Sequence, residues 1–177
     1  MHITEDMLES FRKILNSPSL QIYAETNWGS HNPEHRTLIH EKLNALKSAD
    51  PALHTSVSHT NGLGVIAACS SPIGVDAELT ARVLPAIIAR VSSPEELSQA
   101  PNAASLWSAK EATFKALKSY EQPSVVSKIS IGEWQNIASQ FETFRLMNAS
   151  IFGSPSSGVG VVTHLPHHTL SFFVFCS

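Results

Sequence analysis

Apolar residues at Met7, Leu8, Phe11, Ile14 and Leu15 recur at helical spacing. They predict a first helix that starts at an N-cap on Thr4 and stops at Ser17-Pro18. Residues 20–24 alternate as a short strand, and the polar stretch 27–32 reads as a loop. Asn32-Pro33 then supplies a cap and a first-turn proline for a second helix to about Ser48, with Leu38, Ile39, Leu43 and Leu46 on its buried stripe. Residues 55–59, 63–70 and 73–79 read as three strands in quick succession, the first two joined by Asn61-Gly62, a strong hairpin signal. Residues 83–91 look like a short helix, and Asn102 caps a longer one from Ala103 to Lys118. Beyond it the pattern turns to strands at 125–131, 141–151, 159–164 and 170–175, with Gly153 to Gly158 as a turn.

Helix and strand alternate in the first half, and a helix followed by strands fills the second. The order predicts an α+β fold and is compatible with two similar half-domains, residues 1–72 and 73–177, without requiring them. With 177 residues, 42% of them hydrophobic, the chain can bury a real core. Only 15% are charged and the net charge is −3, which argues against a nucleic-acid binder, so any anion site must come from a few placed lysines and arginines. Cys69 and Cys176 lie far apart without metal-ligand spacing, and Cys69, inside an apolar run, reads as a buried reduced thiol. Residues 1–6 are too acidic and polar for a secretory signal and no apolar stretch reaches bilayer-crossing length, so a cytoplasmic protein without a membrane partner is expected.

Three short stretches carry candidate chemistry. In Gly74-Val75-Asp76-Ala77-Glu78, period two aims Asp76 and Glu78 at one spot while Val75 and Ala77 face apolar material. Two carboxylates so close repel unless one holds a proton or a hard cation such as Mg²⁺ lies between them; the plainer reading is a solvated strand edge. In Trp107-Ser108-Ala109-Lys110-Glu111-Ala112-Thr113-Phe114-Lys115, Glu111 and Lys115 stack one turn apart beside two aromatics. That is either an exposed ion pair or the wall of a cleft that binds metal or phosphate. Ser58 and His59 stand at the mouth of the hairpin, where hydroxyl and imidazole can hold phosphate oxygens or simply serve the turn. His164, His167 and His168 flank Leu165-Pro166, and the proline breaks the helical geometry that would align zinc ligands. No glycine loop of the phosphate-cradling kind is present.

Taken in order, these pieces resemble the 4′-phosphopantetheinyl transferase superfamily, and its Sfp-like branch in particular. That family carries a Gly-(Val/Ile)-Asp-x-Glu strand followed by a Trp-x-x-Lys-Glu-(Ala/Ser)-x-x-Lys helix, matched here from Gly74 to Glu78 and from Trp107 to Lys115. Val57-Ser58-His59-Thr60 is similar to its Leu-Ser-His-Ser hairpin, and His35-Arg36-Thr37-Leu38-Ile39 to its arginine-bearing helix. The resemblance implies a pseudo-dimer of two α+β halves acting as a monomer. It implies a transferase that moves the phosphopantetheine arm of coenzyme A onto a serine of an apo acyl- or peptidyl-carrier protein, in fatty acid, polyketide or nonribosomal peptide synthesis. Asp76, Glu78 and Glu111 would hold Mg²⁺ or Mn²⁺, with Glu111 also the base for the serine hydroxyl. Lys115 would grip the phosphates, and Arg36, Ser58, His59 and Lys110 would complete the coenzyme site; Glu96 falls near an acidic position of some members. Two features depart from the pattern: residues 46–51 replace the usual Gly-Lys-Pro segment, leaving Lys47 as a substitute, and residues 27–34 lack its basic cluster. A non-catalytic carrier-binding relative and a divalent-metal phosphoester hydrolase are the alternatives.

Overall fold

A computed structural model of the protein describes residues 3–26, 28, 33–137, 140–154 and 156–175. The expected cap at Asn32, most of the loop before it, and Cys176 lie outside the described residues. The fold is α+β with two antiparallel sheets. The first part contributes α1 (Glu5–Ile14), β1 (Gln21–Glu25), α2 (Pro33–Ala49), β2 (His54–Thr60) and β3 (Leu63–Cys69), and its three strands lie in the order β1-β3-β2. Then come β4 (Ile73–Leu79), α3 (Pro85–Ile88), α4 (Pro94–Gln99), α5 (Ala103–Ala116), β5 (Ile131–Ile137), β6 (Phe141–Leu146), β7 (Val159–His164) and β8 (His168–Val174). Here the strand order is β4-β8-β7-β6-β5.

Patterning explains the layers. β3 is buried along its whole length because both of its faces are covered. Val65, Ala67 and Cys69 join Phe11, Leu15, Val75, Ala77 and Phe172 in the core between the sheets. Ile66 and Ala68 face the other way and pack under α2 against Ile39 and Leu46. Cys69 is buried, as expected, with its thiol on the Ser71 carbonyl (2.9 Å). Thr4 caps α1 through the Met7 N–H, and Asn102 caps α5 through that of Ser105. Among the described residues no helix is long and apolar enough to cross a membrane.

β4 does most to position the site. Ile73, Val75 and Ala77 enter the inter-sheet core, leaving Gly74, Asp76 and Glu78 on the face covered by α5. Gly74 lets the helix sit that close, since a Cβ there would run into the carbonyl oxygen of Ala112 and the amide of Ala116. The open edge of β4 is satisfied by side chains in place of a neighbouring strand. The N–H groups of Val75 and Ala77 donate to Ser56 Oγ (3.0 Å) and Ser58 Oγ (3.1 Å), and the Val75 carbonyl accepts from Lys115 Nζ (2.9 Å). Two β2 hydroxyls and one α5 ammonium thus fasten one sheet to the other.

Several expected elements shift. In place of a strand at 125–131 there is a 3₁₀ turn, Val126–Lys128, and β5 begins only at Ile131. β5 is an edge strand with an irregular register between Gly132 and Gln135 and with Glu133 at φ 52, so its outer residues are polar and exposed and give little strand signal. β6 ends at Leu146; the apolar residues after it form the 3₁₀ turn Ala149–Phe152, closed by Gly153 in the left-handed region. The helix anticipated at 83–91 shrinks to α3, and the one over 103–118 finishes in a 3₁₀ turn, Leu117–Ser119. α4 was not anticipated, although Ser93 and Glu96 form a complete capping box at its start.

Candidate active site

Asp76 is the centre of the site and is 3% exposed. Its Oδ1 accepts from Ser58 Oγ (3.1 Å) and Lys115 Nζ (2.9 Å), and its Oδ2 accepts from Ser108 Oγ (3.0 Å). Lys115 Nζ also donates to Ser58 Oγ (3.0 Å), so with the Val75 carbonyl all three of its protons have acceptors. The helix explains which α5 residues take part. Positions 108, 111 and 115 lie three and four apart and share one side, and that side is the one laid on β4.

Glu78 and Glu111 flank this centre. Burial pushes the Glu111 carboxyl above its ordinary value, and the negative charges of Asp76 and then Glu78 push it further, against the pull of Lys115. Burial, then Asp76, also raises Glu78, offset by a hydrogen bond from Trp107 and by the charges of Lys115 and Arg82. The β4 acids and the α5 acid are therefore within electrostatic reach of one another. Beside Glu78 opens a cavity of about 290 Å³, lined by Glu78, Arg82, Val83, Ile87 and Trp107.

This donor set suits a hard divalent cation by its chemistry, being all carboxylate oxygen with more negative than positive charge. It is not drawn in as a cage. Among the described residues no group of three or more His, Cys, Asp or Glu side chains stands closely enough to hold a metal ion, and Asp76 is satisfied by two hydroxyls and an ammonium. Burial first, and repulsion from Asp76 second, hold Glu78 and Glu111 above their ordinary values.

The structure brings together Ser58, Asp76, Glu78, Glu111 and Lys115 and sets the other sequence-derived candidates apart. His59 follows Ser58 on β2 and so faces the opposite side of the sheet, where its partner Gly64 packs beneath Trp28. Arg36 is exposed on α2, which covers that same opposite side. Lys110 is fully buried on another side of α5, where its ammonium holds Glu96 (2.6 Å) and the Ile129 carbonyl. The three histidines are also dispersed. His164 contacts Ser105 (3.1 Å) and Thr169 (3.2 Å), whereas His168 reaches the Asn61 carbonyl (3.0 Å).

Three participants had escaped notice: Ser56, Ser108 and Arg82. Ser108 carried a readable signal, since it precedes Glu111 by three residues and Lys115 by seven on one helix. Ser56 and Arg82 carried none, because their roles depend on how two separate elements dock.

No curated protein matches the chain. Residues 72–156, which hold β4, the three helices α3 to α5 and the strands β5 and β6, match the family model of the 4′-phosphopantetheinyl transferase superfamily, and it is to that superfamily that this part of the chain is similar.

Proposed function

We propose that the protein transfers the 4′-phosphopantetheine group of coenzyme A to a serine of an apo acyl- or peptidyl-carrier protein and releases 3′,5′-ADP. One observation carries this reading: Asp76 and Glu78 of β4 share a half-buried electrostatic cluster with Glu111 and Lys115 of α5, inside the segment that matches the superfamily. Displacement at phosphorus demands mainly alignment and charge neutralisation, with no covalent enzyme intermediate. Asp76, Glu78 and Glu111 would hold a Mg²⁺ or Mn²⁺ ion, which supplies Lewis-acid stabilisation of the pyrophosphate charge.

The remaining roles belong to the chain's own groups. Ser58 and Ser108 fix the Asp76 carboxylate from two sides. Glu111, on the side of α5 that faces β4, takes the proton of the carrier serine as its oxygen attacks the β-phosphate. Lys115 adds fixed positive charge to offset that on the departing 3′,5′-ADP. Arg82, on the wall of the cavity beside Glu78, adds a second cation where an anionic substrate would enter. Arg36 and His59, exposed on the α2 side, would contact coenzyme A phosphates, Arg36 the 3′-phosphate.

Mass spectrometry of an apo carrier protein incubated with coenzyme A, Mg²⁺ and this protein tests the reading. The expected result is a carrier heavier by one phosphopantetheine group. Breakdown of coenzyme A with every carrier unmodified would replace transfer with hydrolysis.

A further inference from the structure

Lys110, in the Trp-x-x-Lys-Glu stretch, sends its ammonium into the protein interior on a side of α5 away from Asp76. Its side chain is 0% exposed and that of Glu96 is 7% exposed, and both charged groups are hydrogen-bonded. Lys110 Nζ meets Glu96 Oε1 at 2.6 Å and also donates to the Ile129 carbonyl. The same Glu96 Oε1 accepts the Ile131 N–H (2.9 Å), where β5 begins. Glu96 Oε2 accepts the Ser93 N–H (2.8 Å) and so caps α4. The pair therefore ties three pieces of chain to one point: α5, the start of α4 and the entry to β5.

We propose that the buried Lys110–Glu96 pair is a positioning device that sets the rotation and height of α5, and thereby aims Glu111 and Lys115 at β4. An α-helix turns about 100° per residue, so Lys110 sits roughly 200° from Ser108 and 140° from Lys115. An anchor on that far side controls the side that faces Asp76. An apolar side chain at 110 would fill the space while letting the helix slide or turn, because hydrophobic contact is non-directional. An ammonium held by a carboxylate and a carbonyl has one satisfactory placement, and moving it strands a buried charge. Rotation matters here because Lys115 reaches three acceptors at once, each at 2.9–3.0 Å. Among the described residues the partners of Lys110 and Glu96 are one another, Ile129, Ile131 and Ser93, none of which lines the cavity beside Glu78, so the effect is transmitted through the helix.

The kinetic side of this inference rests on the transferase reading; the geometric side does not. The test is the double variant Glu96→Gln/Lys110→Met, which removes both charges and keeps similar volume. Its crystal structure is expected to show α5 turned or shifted, with Lys115 Nζ out of hydrogen-bond reach of Asp76 Oδ1. In the carrier-modification assay kcat is expected to fall about 10²-fold, the scale of an ångström of misplacement, with KM for coenzyme A nearly unchanged. A pair that merely adds stability would lower the melting temperature and leave both the Lys115–Asp76 contact and kcat at parent values, and that result overturns the proposal. Should the parent protein modify no carrier at all, the transferase reading fails, and the variant's crystal structure still decides the positioning claim. If the double variant does not fold, Glu96→Gln alone keeps the oxygen used by Lys110 and Ile131 and is read by the same two measurements.

Discussion

Two lysine–carboxylate groups occupy different sides of α5, and their chemistry differs. On one side Lys110 and Glu96 form a pair with charges balanced one to one and with three backbone groups joined to it. On the other, one lysine faces three acids, and two of those, Glu78 and Glu111, are held above the ordinary carboxylate range. A buried pair with balanced charge and several hydrogen bonds specifies geometry, and its burial keeps ligands away. An unbalanced cluster at a cleft has unmet demand for positive charge. That contrast separates two electrostatic environments on a single helix, in residues as close as Lys110 and Glu111.

The sharpest way to break the contrast is to remove the shared acid. Asp76→Ala takes the acceptor from two hydroxyls and leaves the Lys115 ammonium poorly compensated. Transfer to a carrier protein is expected to vanish, and stability in urea unfolding to drop by about 3 kcal/mol with a folded protein remaining. Gly74→Ala should act through distance alone. Its methyl group collides with the α5 backbone, so the helix must lift from β4, at a cost of about 2–3 kcal/mol, and a crystal structure should show Glu111 and Lys115 displaced outward.

Glu111→Gln sharpens the comparison in the opposite direction. Loss of the base should reduce transfer by roughly 10²-fold or more. Stability of the ion-free protein should nevertheless rise, because a strained charge is gone. The pH dependence fixes the sign. Glu111 binds its proton more tightly in the folded chain than in the unfolded one, so its burden is absent below the ordinary carboxylate range, builds between that range and the raised value, and stays constant above it. The melting temperature of Glu111→Gln should therefore match the parent's in acid and exceed it increasingly as pH rises to the raised value. A constant difference across that range would show that Glu111 is not strained by its neighbours.

Much of this site was legible in the sequence because its spacing is local. Period two put Asp76 and Glu78 on one face, and a four-residue step put Glu111 above Lys115. The same rules also separated Ser58 from His59, which are adjacent on a strand and must face opposite ways, and Lys110 from Glu111, a third of a turn apart on a helix. The resemblance had grouped Ser58, His59 and Lys110 with the coenzyme and Glu111 with the metal, and strand alternation and helix rotation bring only Ser58 and Glu111 of these four to the cluster. β5 was hard to see because an irregular edge strand carries little apolar periodicity. The fastening of β4 to β2 by Ser56 and Ser58 was invisible for a different reason: small hydroxyl residues in a strand report nothing about the partner they will meet.

The most direct measurement is a Mn²⁺ titration, by calorimetry and electron paramagnetic resonance, of the parent protein, Glu78→Gln and Glu111→Gln. One ion per chain is expected in the parent, with binding weakened at least about tenfold by either substitution, since each replaces one of the three proposed carboxylate ligands, on a different element of the fold, with a neutral amide. Undiminished binding in Glu111→Gln would mean that β4 and α5 do not share a cation.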